Sequence, residues 1–355
     1  MEVKREIFGK INGGREVYLY TLTNKNGLRL LITDFGGRMV QFHVPDREGH
    51  FDDIITGFDS LDPYLVRNPY FGALVGRYAG RISGAAFTLN GTIYNLDANQ
   101  NNQHLHGGAK GFSNVLWDAE IPEESGGGKL KLSLVSPDGD QGYPGTVAAE
   151  VIYTLTDQNS LSIAYSAKTD ADTPVNLTNH TYFNLKGHNK GDVLGHKIRI
   201  DADLFLPIDV AGIVSGAPKK VDGTPFDLRA LTEIGSRFSA SHEQMIQQEG
   251  FDVYYFFNNN NEMCPQLRTV CVVEEAQSGR KMEVLSTKPG VQFYTANKIK
   301  DNFTFTGKGG YKYTQYCGFC LETQYIPNGP NNPYGTSVIL RPGGEYKHET
   351  VFAFQ

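Results

Sequence analysis

Short runs in which apolar and polar residues alternate recur along the chain. Residues 129–134 (Lys-Leu-Lys-Leu-Ser-Leu) and residues 161–165 (Leu-Ser-Ile-Ala-Tyr) follow this pattern. Successive side chains of a β-strand point to opposite faces, so a period of two predicts half-buried strands. Asp157-Gln158-Asn159 joins the second run to an extended run at residues 151–155, and we expect these two runs to pair.

Turn signals are dense, whereas helical periodicity is scarce. Asn90-Gly91 lies between two extended runs, which is a strong signal for a two-residue hairpin. The chain has 40 glycines and an aromatic content of 12%, a composition that favours short strands joined by tight turns. Only two stretches, residues 60–66 and 228–238, are predicted to form short helices.

The chain shows no sign of division into separate units. Its 355 residues would by length alone suggest about two domains, but β-sandwiches often exceed 200 residues as one unit. No Pro-rich or Ser-rich linker and no repeat of fixed period interrupts the sequence. We therefore expect residues 1–355 to form a single all-β domain, a large antiparallel β-sandwich, in which stacked sheets protect strand edges.

Charge and hydropathy exclude several classes of function. The net charge is -6, and the absence of a basic stripe argues against nucleic acid as a partner. No window approaches 18 consecutive apolar residues, so we expect no membrane span. The first six residues lack the apolar run of a signal peptide, and we therefore expect a cytoplasmic protein.

The four cysteines are expected to be free structural thiols, because no secretory signal accompanies them. Cys317 and Cys320 match the C-x-x-C spacing of metal and redox sites. We predict a strand over residues 313–325, however, and an offset of three would send the two thiols to opposite faces. No second C-x-x-C completes a zinc site. Cys264 and Cys271 complete the set.

A predicted strand at residues 175–185 has one polar face and one mostly apolar face. The polar face carries Asn176, Thr178, His180, Tyr182 and Asn184. This pattern predicts a strand whose back lies on the core and whose front lines a wet cleft or open solvent. His180 is then either a surface histidine or a proton-transfer group, since imidazole titrates near neutrality.

Glu322 lies in an aromatic-rich run at residues 316–325. A carboxylate in apolar surroundings is costly unless it is paired or hydrogen-bonded. Two interpretations follow from the residues alone. Glu322 forms a buried ion pair with an arginine, or it is a general base whose pKa is set by its surroundings.

Three further segments carry polar candidates. His104 and His106 have a spacing that places both on one face of a strand, but no third metal ligand is evident nearby. Arg77 lies in a glycine-punctuated segment that lacks the Gly-Lys-Ser/Thr of a phosphate-binding loop. Asp252 precedes an aromatic run at residues 254–257, a combination common in sugar sites.

The ordered set of these segments resembles the galactose mutarotase (aldose 1-epimerase) family. The matching segments are residues 76–82 (Gly-Arg-Tyr-Ala-Gly-Arg-Ile), 105–108 (Leu-His-Gly-Gly), 179–185 (Asn-His-Thr-Tyr-Phe-Asn-Leu) and 321–324 (Leu-Glu-Thr-Gln), with a weaker match at 250–252. The resemblance implies one β-supersandwich domain that interconverts the α- and β-anomers of free aldohexoses such as galactose and glucose.

The resemblance also implies roles for individual residues. Glu322 would be the general base and His180 the general acid. His106 would assist near the ring oxygen, and Arg77 and Asp252 would bind sugar hydroxyls. Such chemistry requires no metal, nucleotide or other cofactor, and its partner is a monosaccharide. We expect a monomer or a homodimer.

Two positions depart from the family pattern. Gly80 stands where the arginine motif usually has asparagine, and Val253 stands where a polar residue is common. Neither change removes a catalytic group. Both leave the preferred aldose open, galactose against glucose or others.

Three alternatives remain at this stage. An epimerase of hexose 6-phosphates would need a basic cluster for the phosphate. A glycosidase would use Asp252 and Glu322 as its carboxylate pair and would release nitrophenol from aryl galactosides. A non-catalytic carbohydrate-binding protein would bind sugar without accelerating mutarotation.

Overall fold

The computed structural model describes residues 2–66, 68–122, 128–239, 241–258, 266–300 and 303–355. The first strands are β1 (Glu2–Lys10), β2 (Glu16–Thr23), β3 (Arg29–Thr33), β4 (Arg38–Pro45), β5 (Phe51–Asp53), β6 (Ala73–Val75), β7 (Arg81–Ile82), β8 (Ala86–Leu89) and β9 (Thr92–Asn95). Next are β10 (His104–Leu105), β11 (Asp118–Glu120), β12 (Lys129–Ser136), β13 (Val147–Leu155), β14 (Ser160–Thr169), β15 (Thr173–Pro174), β16 (Thr178–His180), β17 (Lys197–Ile200) and β18 (Leu204–Leu206). The last are β19 (Lys219–Lys220), β20 (Thr232–Glu233), β21 (Asp252–Phe256), β22 (Arg268–Glu274), β23 (Lys281–Ser286), β24 (Gly290–Tyr294), β25 (Cys320–Gln324), β26 (Ile339–Leu340) and β27 (Tyr346–Phe354).

Among the described residues the one α-helix is α1 (Glu243–Gln248). The largest sheet has nine strands in the order β11-β12-β13-β14-β27-β23-β22-β17-β20. Two five-stranded sheets have the orders β1-β2-β3-β4-β5 and β19-β18-β21-β24-β25. Four two-stranded pairs, β10-β7, β15-β26, β16-β6 and β8-β9, complete the arrangement. The paired strands run antiparallel.

The three large sheets share one hydrophobic core. A single cluster of buried side chains includes Leu30 of β3, Val151 of β13 and Val291 of β24. Sheets that bury their apolar faces against one another in this way form a β-sandwich. The all-β prediction is confirmed. Across the described residues, no helix is long and apolar enough to cross a lipid bilayer.

The predicted hairpins are present. β8 and β9 pair across Asn90-Gly91, and both turn residues have positive φ, 51° and 78°. Positive φ at both central positions is the geometry that an Asn-Gly turn favours. β13 and β14 pair as expected, with Leu155 opposite Leu161.

The two predicted short helices are wrong in extent or in type. Residues 60–66 form only a single 3₁₀ turn at Asp62–Tyr64. In residues 228–238, strand β20 pairs with β17 at the sheet edge, and a 3₁₀ turn at Gly235–Arg237 follows. Pairing with a sheet edge satisfies backbone groups that a short helix would leave without partners.

The two long predicted strands around the candidate residues are also shorter than expected. Only β16 and β25 form within residues 175–185 and 313–325. Residues 175–185 are buried on both faces. Within them, β16 pairs with β6 and is hydrogen-bonded to β25 through Thr178. The alternative of a front in open solvent was therefore wrong, whereas a front that lines a cleft stays a prediction.

The thiols also differ from the prediction in their placement. Cys317 precedes β25, so strand alternation does not apply to it, and it lies with Cys320 in one core cluster. The prediction that the two point to opposite faces was wrong. Cys271, Cys317 and Cys320 are free thiols, as expected. Cys264 lies outside the described residues.

Candidate active site

Three ionisable side chains from separate segments meet at one buried point. Glu322 lies in the middle of β25, His180 ends β16, and His106 follows β10. The Nε2 atom of His180 is 3.6 Å from Oε1 of Glu322. One ligand atom from each of the three lies within 4.8 Å of the others. Glu322 and His180 are only 3% and 5% exposed, so their charges are poorly solvated.

Backbone pairing fixes the carboxylate relative to the imidazole. Glu322 is opposite Gln292 in β24 on one side of β25. On the other side, the hydroxyl of Thr178 in β16 donates to the carbonyl of Thr323 at 2.8 Å. The thiol of Cys320 lies 3.5 Å from Nδ1 of His180. The two catalytic candidates therefore belong to two elements that are joined directly.

His106 is positioned by a reciprocal contact with Gly80. The backbone N–H of His106 donates to the Gly80 carbonyl at 3.1 Å, and the Gly80 N–H donates to Nδ1 of His106 at 3.2 Å. Nδ1 is then the acceptor nitrogen, so a neutral His106 carries its proton on Nε2. This tautomer makes Nε2 a hydrogen-bond donor.

Aromatic rings hold the plane of the His180 imidazole. Tyr182 stacks on it with centroids 5.0 Å apart and an interplanar angle of 28°. Tyr70 stacks at 5.9 Å and 25°. The Tyr70 ring also meets the edge of His106 at 4.8 Å. Tyr70 and Tyr294 line a cavity of about 890 Å³ that lies beside the cluster.

Burial sets the proton affinities of the cluster. Burial raises the pKa of Glu322 well above its usual value, and the nearby Asp252 raises it further. Burial lowers the pKa of His180 to about 4. Burial and the neighbouring His180 hold the pKa of His106 well below its usual range. The desolvation of the charged forms is the common cause.

A second group of polar side chains lies on the neighbouring strands. Asp252 begins β21, and its Oδ1 accepts a hydrogen bond from Nε2 of Gln292 at 2.5 Å. Burial raises the pKa of Asp252, and the positive charge of Arg81 opposes that rise. The positive charge of Arg81 also lowers the pKa of Glu322 and so opposes the effect of burial there. Its Nε donates to Gln100 at 2.9 Å.

Arg77 does not join this group. Its guanidinium donates to the carbonyls of Pro144 and Gly145, at 3.0 and 2.9 Å, and to the Ser136 hydroxyl at 2.7 Å. The side chain is 2% exposed. Its hydrogen bonds join the loop that contains Pro144 and Gly145 to the segment that follows β6. The expectation that Arg77 binds a sugar hydroxyl is not supported by this geometry. Arg81, four residues later, is the arginine near Glu322 and Asp252.

Sequence reasoning missed other members of the site. Gln292 could not be recognised as a site residue from the sequence, because the residues around it in β24 do not distinguish it from an ordinary half-buried glutamine. Cys320 was assigned to the core alone. Arg81 was visible in the same motif as Arg77, but spacing gave no basis for choosing between two arginines of one glycine-punctuated segment.

Several buried polar atoms of the site have no hydrogen-bond partner within the part of the chain that the structure describes. They are Glu322 Oε2, Gln292 Oε1, Gln324 Oε1 and Gln324 Nε2. Buried polar groups are nearly always paired, so each unmet donor or acceptor requires an explanation. A ligand with several hydroxyl groups, which both donate and accept, would satisfy this set.

The donor set fits proton transfer better than metal binding. Among the described residues, His106, His180 and Glu322 are the one group with metal-ligand geometry. The Gly80 N–H occupies Nδ1 of His106, and a neutral His106 then has a proton on its other nitrogen. His104 does not contribute, since its Nδ1 and Nε2 bond Asp97 O and the Tyr143 hydroxyl, both at 2.7 Å.

A buried carboxylate–imidazole pair among groups that can bond sugar hydroxyls fits an acid–base enzyme of the carbohydrate isomerase class. The comparisons with known proteins agree. The aldose 1-epimerase family model matches residues 18–353. The chain therefore belongs to the aldose 1-epimerase family.

Relatives match the chain over its whole length. It is 41% identical to the galactose mutarotase of Bos taurus, over 100% of this chain and 99% of that protein. It is 34% identical to the aldose 1-epimerase of Escherichia coli strain K12, over 96% of each. A C. elegans aldose epimerase homologue superposes with a TM-score of 0.85 at 26% identity, covering 95% of this chain and 98% of that one.

Proposed function

We propose that this enzyme interconverts the α- and β-anomers of free aldohexoses, including galactose and glucose, with Glu322 as general base and His180 as general acid. The observation that carries the proposal is the buried pair itself, with 3.6 Å between His180 Nε2 and Glu322 Oε1. The names of the full-length relatives support galactose as a substrate.

The reaction proceeds by opening and closing the sugar ring. Glu322 takes the proton of the C1 hydroxyl, the bond between C1 and the ring oxygen breaks, and His180 protonates that oxygen. The open-chain aldehyde rotates about the C1–C2 bond. Closure on the other face of C1 returns both protons and gives the other anomer. Positioned acid–base groups of this kind contribute about 10²–10⁴-fold each.

The proton affinities of the pair suit a reversible cycle. Opening requires an ionised Glu322 and a protonated His180, and it leaves Glu322 protonated and His180 neutral. Burial favours the second form, because it raises the pKa of Glu322 and lowers that of His180 to about 4. Both forms hold one proton on the pair, so the same two groups serve both directions. Hydrogen bonds from the C1 hydroxyl would favour the ionised carboxylate.

The other polar groups would hold the sugar. His106, with its proton on Nε2, would donate a hydrogen bond to the sugar near its ring oxygen. Arg81 and the Asp252–Gln292 pair would bind ring hydroxyls. We assign no cofactor and no metal to the reaction. We also propose a cytoplasmic location, where a free monosaccharide is the partner.

The geometry favours this chemistry over glycoside hydrolysis. In a glycosidase two carboxyl groups face the scissile bond. Here an imidazole nitrogen lies 3.6 Å from the Glu322 carboxylate, and Gln292 lies on the strand between those of Glu322 and Asp252.

Polarimetry tests the proposal. Freshly dissolved α-D-galactose and α-D-glucose should reach rotational equilibrium faster with the enzyme than in buffer. Dialysis against EDTA should leave that rate unchanged. An absence of acceleration, with sugar binding retained, would instead indicate a carbohydrate-binding protein. A rate lost in EDTA and restored by a divalent ion would contradict the metal-free mechanism.

A further inference from the structure

We propose that Gln324 is a further specificity-determining residue, whose carboxamide binds a ring hydroxyl of the sugar next to Gly80. The inference rests on the proposed function, since it concerns the sugar held between Glu322 and His180. It assigns a role to a residue that the acid–base chemistry does not require.

Gln324 lies on the same face of β25 as the proposed base. Alternation along a strand places residues 322 and 324 on one face, about 7 Å apart at roughly 3.3 Å per residue. Glu322 is opposite Gln292, and Gln324 is opposite Gly290. A pyranose ring that reaches Glu322 with its C1 hydroxyl is large enough to bring another hydroxyl to this next position.

The carboxamide of Gln324 is buried and unsatisfied. The residue is 1% exposed, and neither Oε1 nor Nε2 has a partner among the described residues. Thr323, which precedes Gln324 on the opposite face of the strand, is by contrast satisfied, because its hydroxyl is 2.5 Å from the hydroxyl of Thr350. A buried amide without partners is unfavourable, because it has lost its hydrogen bonds to water and gained none in return. A hydroxyl can satisfy both atoms, since it donates and accepts.

Gly80 places no side chain against the carboxamide. A Cβ at this position would lie 3.6 Å from Nε2 of Gln324 and 3.3 Å from Cβ of Pro327. Any side chain at residue 80 would therefore lie against the amide. The Gly80 backbone also holds His106 through both its N–H and its carbonyl. The hydroxyl bound by Gln324 would thus lie on the His106 side of the ring.

A neutral amide suits this position for an electrostatic reason. A charged group two residues from Glu322 would change the proton affinity of the base, as the coupling with Asp252 shows. Gln324 discriminates by hydrogen bonding without adding charge. A site built to bond a hydroxyl rejects an analogue that lacks it, because its own polar atoms are then left unpaired.

The test combines Gln324→Met with a set of deoxy sugars. Methionine keeps a similar volume but removes the amide. Mutarotation is followed by polarimetry for D-galactose and for its 2-, 3-, 4- and 6-deoxy analogues. For the wild-type enzyme, we expect one analogue to lose about 10-fold in kcat/KM, the effect of about one hydrogen bond. Gln324→Met should lose a similar factor on galactose and show no further loss on that analogue.

A matched control separates this role from a structural one. Gln244 is also a buried glutamine whose Nε2 has no partner among the described residues, but it lies on α1, where its Oε1 accepts from the Ile208 N–H. Gln244→Met should leave kcat/KM unchanged for galactose and for all four deoxy analogues. If Gln324→Met keeps wild-type kcat/KM, or loses the same factor on galactose and on all four analogues, the inference is wrong. If the wild-type enzyme does not accelerate mutarotation at all, the proposed function fails instead.

A second variant decides the matter if Gln324→Met does not fold. Asparagine tolerates the positive φ of 83° at residue 80 better than most residues. In Gly80→Asn the added side chain would compete for the Gln324 amide. The preference for galactose over the sensitive deoxy analogue should then shrink by about fivefold or more, the range of one lost hydrogen bond. An unchanged preference would contradict the inference.

Discussion

At the scale of single residues, the site depends on two groups whose charged forms are disfavoured by burial. Burial favours a protonated Glu322 and a neutral His180. Within the described part of the chain, Glu322 forms its ion-pair contact with His180 and not with an arginine, so the interpretation of Glu322 as half of a structural ion pair with arginine loses its support. We propose that the two residues, 3.6 Å apart, act together as the acid–base pair.

Removing either group should affect the chemical step. Glu322→Gln keeps the shape but cannot accept a proton at neutral pH, and His180→Asn cannot donate one as an imidazolium. We expect each to lower kcat by about 10²–10⁴-fold with smaller changes in KM. The measurement is polarimetry of galactose with folded variants. Wild-type rates in Glu322→Gln would contradict the mechanism.

Substitutions of the two arginines in residues 77–81 should have different effects, one on substrate binding and the other on stability. Arg81→Ala removes a charge near Glu322 and Asp252, and we expect KM to rise by about 10–100-fold, as for a lost charged hydrogen bond of about 1.5–3 kcal/mol. Arg77→Ala leaves buried carbonyls of Pro144 and Gly145 without their donor.

We expect Arg77→Ala to lower the free energy of unfolding by about 3 kcal/mol or more, because it breaks a buried network. Thermal melting and KM together check this pair. A raised KM in Arg77→Ala with unchanged stability would restore the role that the sequence motif implied.

The sequence identified residue types better than residue partners. Glu322, His180, His106 and Asp252 come together in the structure as the motif resemblance implied. Gln292 could not be found, because its proximity to Asp252 arises from the pairing of β21 with β24. A choice between Arg77 and Arg81 also requires the fold, since both lie in one short segment.

At the scale of elements, the loop that carries His106 crosses the segment that carries Arg77 at very close range. A Cβ at Gly107 would lie 1.7 Å from the carbonyl oxygen of Gly76, and the φ of Gly107 is 86°. Only glycine fits such an approach. The crossing places the backbone of His106 against Gly80 and thereby fixes its ring.

Gly107→Ala should therefore disturb both stability and activity. The two backbones must separate, so His106 moves relative to His180. We expect a lower melting temperature and a kcat/KM reduced by about 10-fold or more, as expected from a displaced catalytic group. Gly91→Ala is the matched control, since Gly91 has a φ of 78° but a Cβ added there would meet nothing within 4 Å.

That control should cost only about 1 kcal/mol of stability from its backbone conformation. It should leave kcat/KM unchanged, because the hairpin of β8 and β9 lies outside the site. Equal effects of the two substitutions would show that contact with Gly76 is unimportant. Differential scanning fluorimetry and polarimetry provide both readouts.

Elements with a clear local pattern were predictable, and buried ones were not. β12, β13 and β14 alternate because one face of each lies on the core. Residues 175–185 also alternate, but both faces of this segment are buried, and β16 has β6 as its paired strand and β25 as a further neighbour. The pattern of one strand does not reveal how many neighbours bury it.

At the scale of the whole molecule, the three large sheets share one core, and this supports the prediction of a single domain. We expect one cooperative unfolding transition that is the same by tryptophan fluorescence and by far-UV circular dichroism. Trp117 is buried in the shared core and reports on it. Two separated transitions would contradict a single folding unit.

Buried histidines should make the stability of the whole molecule fall in mild acid. His348 contacts the Tyr325 hydroxyl through Nε2 at 2.8 Å and Thr287 through Nδ1 at 3.1 Å. Burial, with the nearby Lys288, lowers its pKa to about 2. In the unfolded chain a histidine has a pKa of about 6.5. Between these values the unfolded state binds a proton that the folded state does not, so unfolding becomes more favourable as pH decreases.

His348→Gln isolates this contribution, because Asp34, whose pKa burial raises to about 6, acts in the opposite direction in both proteins. One such histidine accounts for a loss of about 2 kcal/mol in the free energy of unfolding between pH 7.5 and 5. Urea titrations of both proteins should therefore show a decrease that is about 2 kcal/mol smaller in His348→Gln. Above pH 7.5 neither state of the wild type carries this proton, and the two slopes should coincide. Equal slopes between pH 7.5 and 5 would mean that His348 takes up its proton equally in the folded and unfolded states.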